Sequence, residues 1–138
     1  MKLKVTLDEG AYMPIKAYKT DAGFDLKSRD NTLIPAHDSK VFDTGVHIAI
    51  PEGYVGFLKS KSGLNVKHDL TGTGVIDSGY TGPIVVKLYN HGSFNHKVKK
   101  GDKLIQLVIL PIPEIELEQV DSLEDTDRGD NGFGSTGI

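Results

Sequence analysis

The run Val46-His47-Ile48-Ala49-Ile50-Pro51-Glu52-Gly53-Tyr54-Val55-Gly56-Phe57-Leu58-Lys59-Ser60 decides the fold class. Val46, Ile48 and Ile50 fall on one side of a two-residue period, with His47 and Ala49 on the other. Such a period belongs to a strand with one face buried, because successive side chains of an extended chain point to opposite faces. Pro51, Glu52 and Gly53 break it, and Tyr54–Ser60 begins a second strand-like run. The pattern extends both ways. Leu3, Val5 and Leu7 alternate with Lys2, Lys4 and Thr6, while Ile84–Tyr89, Lys103–Leu110 and Ile115–Val120 follow on the other side. Gly, Pro, Asn and Asp punctuate the runs, and no window of about 12 residues carries a helical stripe. Many short strands so spaced predict an all-β sandwich, jelly roll or barrel.

The chain has 138 residues, which suits one domain burying roughly two-thirds of its unfolded surface. Cysteine is absent, so neither disulfides nor thiolate metal sites are available. Met1-Lys2-Leu3-Lys4-Val5 lacks the apolar run of a signal peptide, and nothing approaches the ~20 apolar residues of a membrane span. A soluble protein of the cytoplasm is the expectation. The net charge of -3 argues against non-specific nucleic-acid binding. An anionic small ligand would need local cations or a metal.

Two features sit oddly with a self-contained monomer. Leu104, Ile105, Leu107, Val108, Ile109 and Leu110 form a near-continuous apolar strand interrupted by Gln106. Such a strand is covered on both faces, and the second cover is expected from another subunit. The chain then runs through eight acidic residues between Glu114 and Asp130, with Arg128 the lone basic residue among them. Arg128-Gly129-Asp130-Asn131-Gly132-Phe133-Gly134-Ser135-Thr136-Gly137 holds four glycines and cannot pack a core. Its composition alone suits a disordered tail; its arginine and aromatic suit an arm that orders over a ligand.

Several familiar chemistries are excluded. The sequence has no phosphate-cradling G-x-x-x-x-G-K-[ST], no G-x-S-x-G and no H-E-x-x-H, and its histidines (37, 47, 68, 91, 96) lack ligand spacing. Arg128-Gly129-Asp130 matches an adhesion tripeptide, with no export signal to support that use. The strongest local signal is Gly74-Val75-Ile76-Asp77-Ser78-Gly79-Tyr80-Thr81-Gly82, where an apolar strand end delivers an aspartate into a glycine-rich turn. An aspartate in a turn usually bonds its own backbone; the company it keeps here points elsewhere.

Ala22-Gly23-Phe24-Asp25-Leu26, Ser62-Gly63-Leu64, Gly74 to Gly82, Gly101-Asp102-Lys103-Leu104-Ile105-Gln106 and Arg128 to Gly137 resemble, in order, the five motifs of the trimeric all-β deoxyuridine triphosphatases. The resemblance implies a distorted jelly-roll or barrel-like single domain (1–122), a homotrimer with shared sites, and a mobile arm (123–138) closing over the site. It implies hydrolysis of dUTP to dUMP and pyrophosphate, which limits uracil incorporation into DNA and supplies dUMP for dTMP synthesis.

Asp77 matches the base that activates water against the α-phosphorus, and a strand end entering a tight turn is a rigid mount for it. Tyr80 matches the ring that packs on deoxyribose and leaves no room for a 2′-hydroxyl. The resemblance assigns reading of the uracil edge to a Gly72–Val75 hairpin, with Gly74, Val75 and Ile76 among the substrate contacts. Asp25 would meet Mg2+ through water, Ser62 the α–β bridging oxygen, and Gln106 the phosphate and attacking water. Lys61, Gly63 and Lys87 join the substrate contacts. In the arm, Arg128 would clamp the terminal phosphates, Phe133 would stack on uracil, and Gly134, Ser135 and Thr136 would donate hydrogen bonds.

One position departs from the family. Ser60-Lys61-Ser62 stands where Pro-Arg-Ser is usual, and lysine keeps the charge without the fork. The nearest alternative enzyme, a dCTP deaminase, needs a glutamate near C4, and no Glu lies between Glu52 and Glu114. A nucleotide-gated regulatory protein is the alternative of a different class.

Overall fold

The computed structural model describes residues 1–137. Eleven strands and one short helix follow in order: β1 (Lys4–Leu7), β2 (Phe24–Lys27), β3 (Thr32–Ile34), β4 (Ser39–Asp43), β5 (Val46–Ala49), β6 (Tyr54–Lys59), α1 (Ser62–His68), β7 (Leu70–Thr71), β8 (Thr73–Ile76), β9 (Val85–Asn90), β10 (His96–Val98) and β11 (Lys103–Pro111). The all-β expectation holds. The strands form a four-stranded sheet β2-β11-β6-β8, a three-stranded sheet β4-β9-β7, and two ribbons, β1-β5 and β10-β3, with all named strand pairs antiparallel. Among the described residues no sheet closes on itself, so the barrel alternative drops out.

The two-residue period does the folding. In β9, Val86, Leu88 and Asn90 are buried while Val85, Lys87 and Tyr89 face outward. Leu26, Ile34, Phe42, Val46, Ile48, Leu58, Leu88, Val98 and Ile105 meet in a single core that draws on all four sheets. In β11, Leu104, Ile105 and Leu107 are buried by their own chain, whereas Val108 and Ile109 are half-buried and Leu110 is 42% exposed. The first half of that strand therefore needs no second subunit; an uncovered apolar face remains in the second half.

Two expectations are corrected. Ile115–Val120 is not a strand: residues 112–120 are exposed and carry no ladder, although their apolar residues alternate with acidic ones. The Gly72–Val75 segment is not a hairpin. β7 pairs with β9 and β8 pairs with β6, so Gly72 marks a change of sheet.

The helix escaped the sequence reading because seven residues with no buried side chain show no stripe. It closes at Asp69, which adopts φ 56° and donates its N–H to the Asn65 carbonyl at 3.1 Å. Lys67 and His68 occupy the last turn, where positive charge suits the helix dipole.

Candidate active site

Three strands bring the first cluster together. Gln106 on β11 opposes Asp25 on β2 and Lys59 on β6, and Lys59 opposes Thr73 on β8. Directly opposed residues share a sheet face, so Asp25 and Gln106 are neighbours by register. Gln106 Nε2 donates to the Ser60 carbonyl at 3.1 Å, which gives the amide a partner in an otherwise apolar strand. Gly23 lies against it: a β-carbon there would come within 2.7 Å of Gln106 Oε1.

Asp25 is 4% exposed. Its Oδ1 accepts from Lys61 Nζ, and its Oδ2 lies 3.2 Å from Lys103 Nζ. A buried carboxylate persists only when charge and hydrogen bonds offset its lost hydration. Lys61 thus couples Asp25 to the start of α1, where Ser62 and Gly63 are exposed. The opening N–H groups of a helix have no intrahelical partner, and space beside Gly63 is open.

The second cluster surrounds the end of β8. Asp77 follows its last residue directly and is exposed, while Ile76 before it is buried and fixes the strand end. Tyr80 N–H donates back to the Asp77 carbonyl at 3.3 Å, and Gly79 takes the positive φ of 83° that the turn requires. Val75, Ile76, Asp77, Tyr80, Pro83 and Val85 line a cavity of about 260 Å³. The Tyr80 hydroxyl donates to the Pro83 carbonyl at 2.8 Å, which lays the ring across Gly82. Any β-carbon at Gly82 would lie 2.5 Å from that hydroxyl oxygen, so glycine is obligatory if the ring is to lie there. β8 is an edge strand, and among the described residues its outer edge carries backbone groups with no strand beside them. Gly74 and Val75 belong to that edge.

Within one chain the two clusters do not meet. The Asp25–Gln106 row reaches β8 at Thr73, and Asp77 lies four residues further on, roughly 13 Å along the strand. Lys87 joins neither; it stands on the outer face of β9 with its Nζ 5.2 Å above the Tyr89 ring. The arm is separate as well. The last hydrogen bond of the C-terminal segment to the body lies before it, from Ile112 N–H to the Gly53 carbonyl, among the described residues. Beyond it, Arg128 Nε donates locally to the Asn131 carbonyl at 2.8 Å, and Phe133, Gly134 and Ser135 are exposed. Ile138, the final residue of the expected arm, lies outside the described residues.

Magnesium requires oxygen ligands, and the described residues hold no group of three or more His, Asp or Glu able to cage an ion. Asp25 is the carboxylate of the first cluster, with lysines on both oxygens. A hydrated ion carried by phosphates would compete with these two ammonium groups for Asp25.

Sequence reasoning missed several residues. Ser60, noted there only as a departure, accepts from Gly72 N–H at 3.0 Å through its hydroxyl, which donates in turn to the Gly72 carbonyl at 3.1 Å. This pair pins the entry to β8. Lys103 on Asp25, and the contact of His47 with Asp8 and Thr81, carried no local signal because the partners are distant in sequence.

Residues 9–137 match the family model described as dUTPase. The chain belongs to the dUTPase family. A deoxyuridine 5'-triphosphate nucleotidohydrolase of Gloeothece citriformis is 42% identical over 142 residues, covering 100% of this chain and 98% of the relative. The Staphylococcus bacteriophage 80alpha dUTPase with dUPNHPP superposes with a TM-score of 0.92 at 34% identity, covering 99% of each chain, and is described as controlling transfer of virulence genes by a G protein-like mechanism. A mutant dUTPase from phage phi11 of S. aureus, described with a structural Mg(II) ion, gives 0.84 at 35% identity and covers 91% of this dUTPase-family chain and 100% of its own. Among the described residues no helix is long and apolar enough to cross a membrane.

Proposed function

We propose that this chain hydrolyses dUTP to dUMP and pyrophosphate, with Asp77 as general base. The observation that carries the reading is Asp77 rigidly mounted at a strand end, on the rim of a cavity walled by Tyr80 and a free strand edge. Asp77 takes a proton from water, the hydroxide attacks the α-phosphorus, and the bond to the α–β bridging oxygen breaks as pyrophosphate leaves. Lys61, Ser62, Gly63 and Gln106 bind the triphosphate and offset charge on the leaving group. Magnesium, when bound, neutralises phosphate charge, and Asp25 orients its hydration shell. The uracil lies along Gly74, Val75 and Ile76. A main-chain N–H aimed at O4 would face the amino group of cytosine and stay unsatisfied, a penalty of roughly 1–3 kcal/mol.

The site is assembled from three copies. Asp77 and the Asp25–Gln106 row lie apart within one chain, which supports a site built across subunits. The uncovered second half of β11 and the segment Ile115–Val120, with no strand partner among the described residues, support a homotrimer. Arg128 then clamps the terminal phosphates and Phe133 stacks on uracil as the arm expels water.

The test measures pyrophosphate and ammonia release with dUTP, dCTP, dTTP and UTP. Pyrophosphate from dUTP alone is expected; ammonia from dCTP would replace this reading with deamination. Tyr80→Ala should raise relative activity on UTP, because space for a 2′-hydroxyl opens. Wild-type protein that hydrolyses UTP as well as dUTP defeats this account of sugar selection. Lys61→Arg is expected to leave kcat unchanged or raise it, since a planar fork can engage Asp25 and phosphate together. A severe loss in steady-state assays would mean that the pocket is built around the smaller ammonium.

A further inference from the structure

His47 stands on β5 opposite Thr6 of β1, and its ring meets two acceptors at once. Nδ1 lies 2.7 Å from the Thr81 carbonyl oxygen, and Nε2 lies 3.0 and 3.1 Å from the two carboxylate oxygens of Asp8. A carbonyl and an ionised carboxylate can only accept. Neutral imidazole carries one N–H, so it satisfies one of them and leaves the other contact between lone pairs. The doubly protonated ring satisfies both.

Thr81 follows Tyr80 in the loop that walls the base-side cavity. At one end of that loop Tyr80 is bonded to Asp77. At the other, Ile84 N–H donates to the Val46 carbonyl at 2.8 Å, and the Ile84 carbonyl accepts from the Thr44 hydroxyl at 2.6 Å. Between these ends, and among the described residues, the His47–Thr81 contact is the one hydrogen bond from the loop to the body.

We infer that His47 is a positioning residue: in its protonated form it ties the Tyr80 loop to the β1–β5 ribbon and so sharpens discrimination between deoxyribose and ribose. The inference rests on the reading of Tyr80 given above. It implies a pH dependence whose sign follows from the environment. The Thr81 carbonyl, then the Asp8 carboxylate, raise the imidazole above its ordinary value; Asp43 adds to this at longer range, itself paired with Arg29 at 3.2 Å. The tether is therefore complete below the ordinary imidazole value and is lost as pH rises through the raised one.

The experiment is the ratio of kcat/KM for dUTP to that for UTP, measured on the whole protein between about pH 6 and pH 9. Titration of the common base cancels in this ratio, and a weakened fold lowers both terms alike. The wild-type ratio is expected to fall about tenfold across the range, the scale of one charge-assisted hydrogen bond. His47→Ala should show the low ratio at every pH. Asp8→Asn should hold a high ratio that no longer changes with pH, because neutral imidazole can donate to Thr81 and accept from the new amide. Wild-type behaviour in His47→Ala, or a wild-type pH profile in Asp8→Asn, overturns the inference. Tyr80→Ala separates the two layers: if it loses discrimination while the His47 and Asp8 variants do not, only the tether fails. If Tyr80→Ala keeps wild-type discrimination, the sugar reading fails and the tether with it.

Discussion

Replacing Asp77 by asparagine is expected to abolish turnover while leaving dUTP affinity within about tenfold of the parent protein. The side chain keeps its size and turn, so Ile76 still anchors the strand end and Tyr80 N–H still reaches the residue 77 carbonyl. What disappears is the capacity to take a proton from water. A general base acts on the developing hydroxide and contributes little to ground-state binding, so its loss lowers kcat and kcat/KM together. The exposure of Asp77 in the single chain fits this division of labour: under the proposed mechanism desolvation would come from substrate, neighbouring chains and arm, rather than from the turn itself. Single-turnover hydrolysis beside equilibrium binding of dUTP resolves the two quantities. A variant that keeps more than a tenth of the parent kcat removes Asp77 from the mechanism.

The fold was legible where the two-residue period runs unbroken. Val46–Ala49 is a strand where its alternation places it, and Val85–Asn90 buries every second side chain; Tyr54–Lys59 is a strand within the apolar run read at Tyr54–Ser60, without alternating. Thr32–Ile34, Leu70–Thr71 and His96–Val98 are too short to display a period, and their strand state comes from partners elsewhere in the chain. Ile115–Val120 shows the converse. Residues 115 to 118 alternate as a true strand does, yet a strand needs a neighbour to satisfy its backbone, and among the described residues no strand supplies one.

The site divides in the same way. Asp77, Tyr80 and Gly82 lie within six residues and interact locally, so their sequence context exposed them. The pairing of Asp25 with Lys61 spans 36 residues, and it depends on β2, β11 and β6 lying side by side. The exchange of lysine for arginine was visible in the sequence; its carboxylate partner was not.

Mixing two inactive variants should restore activity if sites are shared between chains. One variant is Asp77→Asn, which keeps its arm; the other is truncated after Asp127 and keeps its base. Unfolded together and refolded, they should assemble into random trimers if the proposed homotrimer holds. A site then works only when its base comes from the truncated type and its arm from the full-length type. Those choices are independent when base and arm belong to different chains, so roughly a quarter of sites should revive. The structure motivates the test through the arm itself: beyond Ile112 it makes no hydrogen bond to its own body, among the described residues, and Phe133 stands fully exposed. An exposed apolar ring and a lone arginine on a glycine-rich segment would both gain from closing over a bound anionic ligand. If each arm instead closed over the Asp77 of its own subunit, every site would carry one defect and mixing would restore nothing. Zero recovery in trimers verified to contain both variants therefore rules out the shared site, and recovery near a quarter rules out closure within one chain.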